Sequence, residues 1–201
     1  MPGDGVTGVR ARWTEPTVSG TPDDHVVIWV GIGGWDATYN NIVQVGTLAS
    51  VLPDRSVQHI VWWETLPPNH WNLTSVAVAP GDEIEATVEL VQASPQRWRM
   101  TLRDLTSGRS FETTATFRSD QEFADFIVES PNATANNGPP YYSLPDFAPV
   151  TFTNAQVRYG QRWTSLEDLR VMRVTLQRGG VTLARAGDLA GSSFTVTRGG
   201  Q

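Results

Sequence analysis

The chain reads as all-β, a single domain (1–201) built as a sandwich of two antiparallel sheets, and three observations lead there. Some thirteen short runs are alternating or β-branched, and turn chemistry separates most of them. No long helical period occurs anywhere in the 201 residues. Two consecutive runs carry complementary charge on one face and apolar residues on the other, as a half-solvated antiparallel pair requires.

In order, the strand runs are 8–14, 25–32, 41–49, 57–64, 73–78, 83–92, 97–105, 110–117, 124–129, 149–157, 170–177, 181–186 and 193–198. The clearest is "DEIEATVEL", where Ile84, Ala86, Val88 and Leu90 face one way and Glu83, Glu85, Thr87 and Glu89 the other. "RWRMTLRD" answers it with Trp98, Met100 and Leu102 inward and Arg97, Arg99, Thr101 and Arg103 outward. The Glu and Arg rows then face each other as a solvated ion-pair surface. "LQRGGVTL" predicts a tight hairpin through Gly179-Gly180, and 93–96 and 105–110 are further turns. Residues 164–170 predict one or two helical turns capped by Thr164 or Ser165. The Pro-, Asn- and Gly-rich stretch 130–147 predicts a long loop, of the length that tends to carry function.

Bulk properties exclude several function classes. A net charge of −6 argues against a nucleic-acid or anionic-membrane partner. All 15 basic residues are Arg, and there is no Cys, hence no disulfide and no thiolate metal site. A chain of this length buries roughly 70% of its unfolded surface without such help. No run of 18 apolar residues exists, and "MPGDGVTGVR" lacks the apolar core of a secretion signal. Eight Trp suit a binding groove as well as a core.

The residues available for chemistry are carboxylates and carboxamides. His25, His59 and His70 are scattered, with no H-E-x-x-H spacing, and neither a G-x-S-x-G nor a Lys is present. "GIGG" at 31–34 follows a strand but opens no helix, so it is no phosphate loop. Period-2 alternation puts Glu129 on one face with Ile127 and Asp125, Gln44 with Ile42 and Gly46, and Glu64 with Trp62, while Trp63 takes the opposite face. Three such strands side by side would gather Gln44, Trp62, Glu64 and Glu129 on one concave face, a cleft with aromatic walls. The plainer alternatives are an amide of Gln44 tied to neighbouring backbone and a Glu129 exposed at an edge beside Pro131. Trp29, inside "VVIWVGI", reads as buried on both faces.

"RARWTEPTVSG", "VVIWVGIGGW", "IVQVGT", "VWWE" and "FIVESP", in that order and followed by "LPDFAPVTFTNAQV", resemble the glutamic peptidases (eqolisins, peptidase family G1) over nearly the whole chain. The resemblance implies a concanavalin A-like jelly roll with its site on the concave sheet, and a secreted acid endopeptidase that uses a Gln/Glu dyad and neither metal nor cofactor. The family's catalytic Gln falls on Gln44 and its catalytic Glu on Glu129. Its cleft Trp and Glu fall on Trp62 and Glu64, and the Trp of its W-V-G-I motif on Trp29. The chain departs from the pattern where Gly33 and Ile60 stand in place of Asp, with Asp36 a possible substitute for the first. The expected partners are polypeptide substrates met by a monomer. Trp63 or Trp35 would extend the aromatic wall, and Tyr141 and Tyr142 would close the loop 130–147 over the site. A Lys- and Cys-free composition points to a bacterial member.

These residue types suit amide hydrolysis. A carboxylate takes a proton from water and returns it to the leaving nitrogen. A carboxamide donates to an oxyanion at any pH. A Glu129 that must be partly protonated during turnover gives an acidic optimum. Two rivals use the same residues: a glycoside hydrolase with Glu64 and Glu129 as its carboxyl pair, and a lectin-like module with an inert dyad. Only the peptidase makes Gln44 essential.

Overall fold

The alternation forms strands throughout the computed structural model, which describes residues 5–34, 41–67, 71–132 and 141–199. In chain order the strands are β1 (Val6–Thr14), β2 (Val18–Ser19), β3 (His25–Gly33), β4 (Ile42–Val51), β5 (Val57–Leu66), β6 (Asn72–Ala77), β7 (Glu83–Ala93), β8 (Gln96–Asp104), β9 (Ser110–Thr116), β10 (Ala124–Glu129), β11 (Asp146–Phe147), β12 (Val150–Tyr159), β13 (Arg162–Ser165), β14 (Thr175–Arg178), β15 (Val181–Ala186) and β16 (Phe194–Arg198). A nine-stranded sheet runs β14-β15-β16-β12-β1-β7-β8-β9, with β13 paired to β12 alone. A five-stranded sheet runs β10-β3-β4-β5-β6, and β11 and β2 form a two-stranded ribbon. Every strand pair in these sheets is antiparallel.

The two large sheets pack face to face. Val26, Ile28, Val30 and Ile32 of β3, Val43 and Val45 of β4, and Val128 of β10 meet Val9, Ala11 and Trp13 of β1, Ile84, Ala86 and Val88 of β7, and Trp98, Met100 and Leu102 of β8. The β7–β8 register sets Glu85 opposite Arg103 and Glu89 opposite Arg99, as the charge pattern requires. Arg99 reaches Glu89 at 2.7 Å and Arg12 reaches Glu85 at 2.8 Å on the solvated face.

Three details depart from the sequence reading. Gly160, with φ +58°, closes a tight hairpin that makes 162–165 a strand, so the expected helical turn shrinks to a 3₁₀ turn at Leu166–Asp168. Ser165 occupies its N-cap position without a side-chain capping bond. Residues 170–174 find no partner strand and leave Val171, Met172 and Val174 exposed, so β14 starts only at Thr175. The Gly179-Gly180 hairpin forms as expected, both residues having positive φ.

A polar cross-link sits inside the sandwich. Glu15, 1% exposed, follows Trp13 into the space between the sheets. One of its oxygens lies 2.7 Å from His59 Nδ1, and the other accepts from Thr47 Oγ1 at 2.8 Å and Trp13 Nε1 at 3.2 Å. One side chain thus joins β1 of the larger sheet to β4 and β5 of the smaller. Truncating it strands three buried groups, whereas an exposed ion pair is worth little. Glu15→Ala is expected to cost about 3 kcal/mol in urea unfolding, against ~1 kcal/mol or less for Glu83→Ala on the solvated face.

Candidate active site

Strand register assembles the site on the outer face of the five-stranded sheet. Asp125, Gly31, Gln44 and Glu64 stand in one row across β10, β3, β4 and β5. Ile127, Trp29, Gly46 and Trp62 form the next row, and Glu129, Val27, Leu48 and Ile60 the third. Alternation therefore places Gln44, Glu64, Trp29, Trp62 and Glu129 together. The expected three adjacent strands are corrected to four, because β3 lies between β10 and β4. That intervening strand brings Trp29 to the centre of the site. Its two-sided burial is real: Val26, Ile28 and Val30 go inward, and Trp29 outward into a second apolar cluster with Val27, Ile42, Leu48, Trp62 and Leu66.

The Trp29 indole donates from Nε1 to Glu129 Oε1 at 3.1 Å. Two glycines leave it room. A Cβ at Gly46 would come within 2.6 Å of Trp29 Cβ and 2.0 Å of Ile28 O, and one at Gly31 within 2.8 Å of Trp29 Cζ3. The ring thus has its six-membered edge over Gly31 and its N–H on Glu129. Trp29 and Trp62 are 6% and 3% exposed, so they form a floor rather than open walls. Trp71 stacks on Trp62 with ring centroids 6.1 Å apart. Gly33 explains one departure from the family pattern. Its φ is +99°, and a Cβ there would lie 2.1 Å from Asn41 O, so no Asp fits.

Gln44 Nε2 donates to Glu64 Oε2 at 2.7 Å in a buried contact. Gln44 Oε1, Glu64 Oε1, Trp62 Nε1 and Asp125 Oδ2 are buried without a hydrogen-bond partner. Four such atoms on one face call for water or a ligand to complete their hydrogen bonds. Burial pushes the Glu129 carboxyl up to about 7 against the pull of the Trp29 N–H. Burial also lifts Glu64 to about 7, opposed by the Gln44 hydrogen bond and reinforced by Glu129. Asp125 rises to about 7 through burial, then Glu129, then Asp120. The site is a cluster of carboxyls that hold their protons through the acid range.

The remaining expectations divide. Tyr142 lies edge-on to His25 with ring centroids 4.0 Å apart, and its N–H donates to Pro131 O. Tyr141, 44% exposed, stands against the Arg178 guanidinium. Both anchor the end of the loop beside β3 and β14. Trp63 packs into the inter-sheet core. Trp35, Asp36, His70 and residues 133–140 lie outside the described residues. Among the described residues no cluster of three or more His, Cys, Asp or Glu could hold a metal. Asp125 is the site residue that sequence reasoning passed over, although its alternation with Glu129 was visible.

Comparison with known proteins gives this site its setting. The family model described as "Peptidase A4 family" matches residues 1–198. The chain belongs to that family. It is an endopeptidase of the glutamic class. Aspergillopepsin-2 of Aspergillus niger is 28% identical, over 97% of this chain and 74% of its own length. The crystal structure of scytalido-glutamic peptidase with a transition-state analogue inhibitor superposes with a TM-score of 0.81 at 21% identity, covering 98% of this chain and 94% of the other. SCP-B, an eqolisin solved with the tripeptide Ala-Ile-His, gives 0.76 at 21% identity with the same coverage.

The three carboxyls tie stability of this peptidase to pH. Each holds its proton to about pH 7 in the fold, against roughly 4 in the unfolded chain. The folded state therefore binds more protons between those values. The associated stability is fully present below about pH 4 and is lost as pH rises to about 7. Melting temperature, followed by circular dichroism, is expected to fall over this interval. Glu64→Gln keeps an acceptor for Gln44 and should flatten the slope.

Proposed function

We propose that this peptidase hydrolyses peptide bonds in polypeptides with Glu129 as general base then acid, and Gln44 as water positioner and oxyanion donor. The observation that carries the reading is the buried Gln44 amide. Its Nε2 is fixed by Glu64, its Oε1 is unpartnered, and it shares a sheet face with a high-pKa Glu129.

A water accepted between Glu129 and Gln44 Oε1 loses a proton to Glu129 as its oxygen attacks the carbonyl carbon. The second N–H of the Gln44 amide, not used by Glu64, receives the oxyanion. Glu129 then passes the proton to the amide nitrogen, the C–N bond breaks, and a carboxylic acid and an amine leave. Burial raises both the basicity of the Glu129 carboxylate and the pH to which its acid form persists. Its value of about 7 moves the expected working range up from that of an exposed Glu, into mildly acidic solution. The Trp29–Trp62 floor supports an extended substrate segment. A glycosidase at Glu64 and Glu129 would leave the fixed Gln44 amide without work, and the family membership speaks against it.

The test is cleavage of an acid-denatured protein substrate from pH 2 to 7. Glu129→Gln is expected to lose at least about 10³ in kcat, and Gln44→Ala about 10² to 10³, both with unchanged circular dichroism. A folded Glu129→Gln enzyme with the wild-type rate would remove the dyad.

A further inference from the structure

Asp125 is left over when the dyad and its supports are accounted for. It stands on the same strand and face as Glu129, with Ile127 between them. It also heads the row that runs through Gly31 to Gln44 and Glu64. Gly31 contributes no side chain, and Trp29 Cζ3, Gln44 Cβ and Ile42 Cδ1 crowd the space over it. Asp125 Oδ2 is buried and has no hydrogen-bond partner. A buried carboxyl oxygen without a partner costs stability unless it serves another end.

Among the described residues no cation is among the charges that act on Asp125. Glu129 on its own strand and Asp120 on the segment before β10 are the charges that act on it, both unfavourably. Asp120 Oδ2 is itself buried and unpartnered. In the same row β3 offers the neutral Gly31 and β4 the neutral Gln44, with the carboxyl of Glu64 beyond on β5. Among the described residues no ion pair reaches Asp125.

We propose that Asp125 lowers the rate as the pH rises toward neutrality, its ionised form adding to the charge that opposes the negative charge developing beside Gln44 in the transition state. Two strand spacings put Asp125 about 10 Å from Gln44. A unit charge at that distance in a partly buried site slows formation of an anion roughly tenfold. While Asp125 is neutral this penalty is absent, and it switches on as Asp125 loses its proton. The inference rests on the Gln44/Glu129 reading, since it needs an oxyanion at Gln44.

The experiment is the pH profile of kcat/KM for a fluorogenic peptide, measured on wild type, Asp125→Asn, Asp125→Glu and Glu129→Gln. Asp125→Asn keeps the shape and cannot ionise. Its kcat/KM is expected to exceed that of wild type by up to about tenfold at the pH where Asp125 is ionised, which moves the apparent midpoint upward, with KM unchanged and melting temperature not lowered. Asp125→Glu should restore the wild-type limb. A residue with a purely structural task would change the height of the profile and leave its midpoint in place. Coincident midpoints for wild type and Asp125→Asn overturn the role of Asp125, as does an upward shift that Asp125→Glu fails to reverse. If the Asn variant folds poorly, Asp125→Ser supplies the same comparison. Activity retained by Glu129→Gln overturns the dyad instead, and so separates the two failures.

Discussion

A β-strand has two faces, and in β3, β4 and β5 one of them is committed to the dry interface between the sheets. Val26, Ile28, Val43, Val45 and Val61 fill that interface and are essentially inaccessible to water. Whatever the intervening residues do, they do on the outer face. Since side chains alternate strictly, the inward packing of valines and isoleucines fixes which residues can meet outside. A slip of one residue would bury Gln44 and Glu64 in the core and expose the valines. The site is therefore specified by the hydrophobic effect acting on its neighbours.

The outer face is then made unusual by its own burial. Trp29 and Trp62 fill it as a second apolar cluster, and the carboxyls among them lose hydration without gaining cationic partners. Four of the fifteen arginines are paired on the far side of the nine-stranded sheet. There Arg12, Arg99, Arg103 and Arg158 pair with Glu83, Glu85 and Glu89. The two sheets thus present one solvated, ion-paired face and one whose acids stay protonated above their usual range. The cost falls on stability near neutrality, where those acids would otherwise ionise.

Much of this was legible in the sequence because it depends on local alternation. The β7–β8 pairing follows from two complementary charge rows, and Gln44 and Glu129 stand out as polar residues within apolar runs. What escaped depends on long-range pairing. Nothing in "VVIWVGI" tells that β3 lies between β10 and β4, so the place of Trp29 against Glu129 had to come from the sheet order. Glu15 lies in "WTEPT", which reads as the end of a strand. Only the folded sandwich shows that its carboxylate reaches His59 and Thr47. Asp125 was visible by period but carried no motif. The loss of the 170–174 strand has the same origin, since an alternating run becomes a strand only where a neighbour offers an edge.

The position of β1 also governs how the chain can fold. It lies between β7 and β12, with Val6 opposite Tyr159 and Val9 opposite both Val88 and Val157. The middle of the nine-stranded sheet thus joins the first residues of the chain to residues some 150 positions later. Ordering so large a loop must precede the contacts that reward it, which makes such topologies slow, on the order of milliseconds to seconds. The five-stranded sheet needs nothing beyond Glu129, whereas its partner cannot close before residue 159 has been made. During synthesis the five-stranded sheet is complete in sequence while the larger sheet still lacks β12. The β1, β7 and β8 side chains that face the valines of the five-stranded sheet are also made by then, so the later strands extend a larger sheet whose first contacts with its partner are already available.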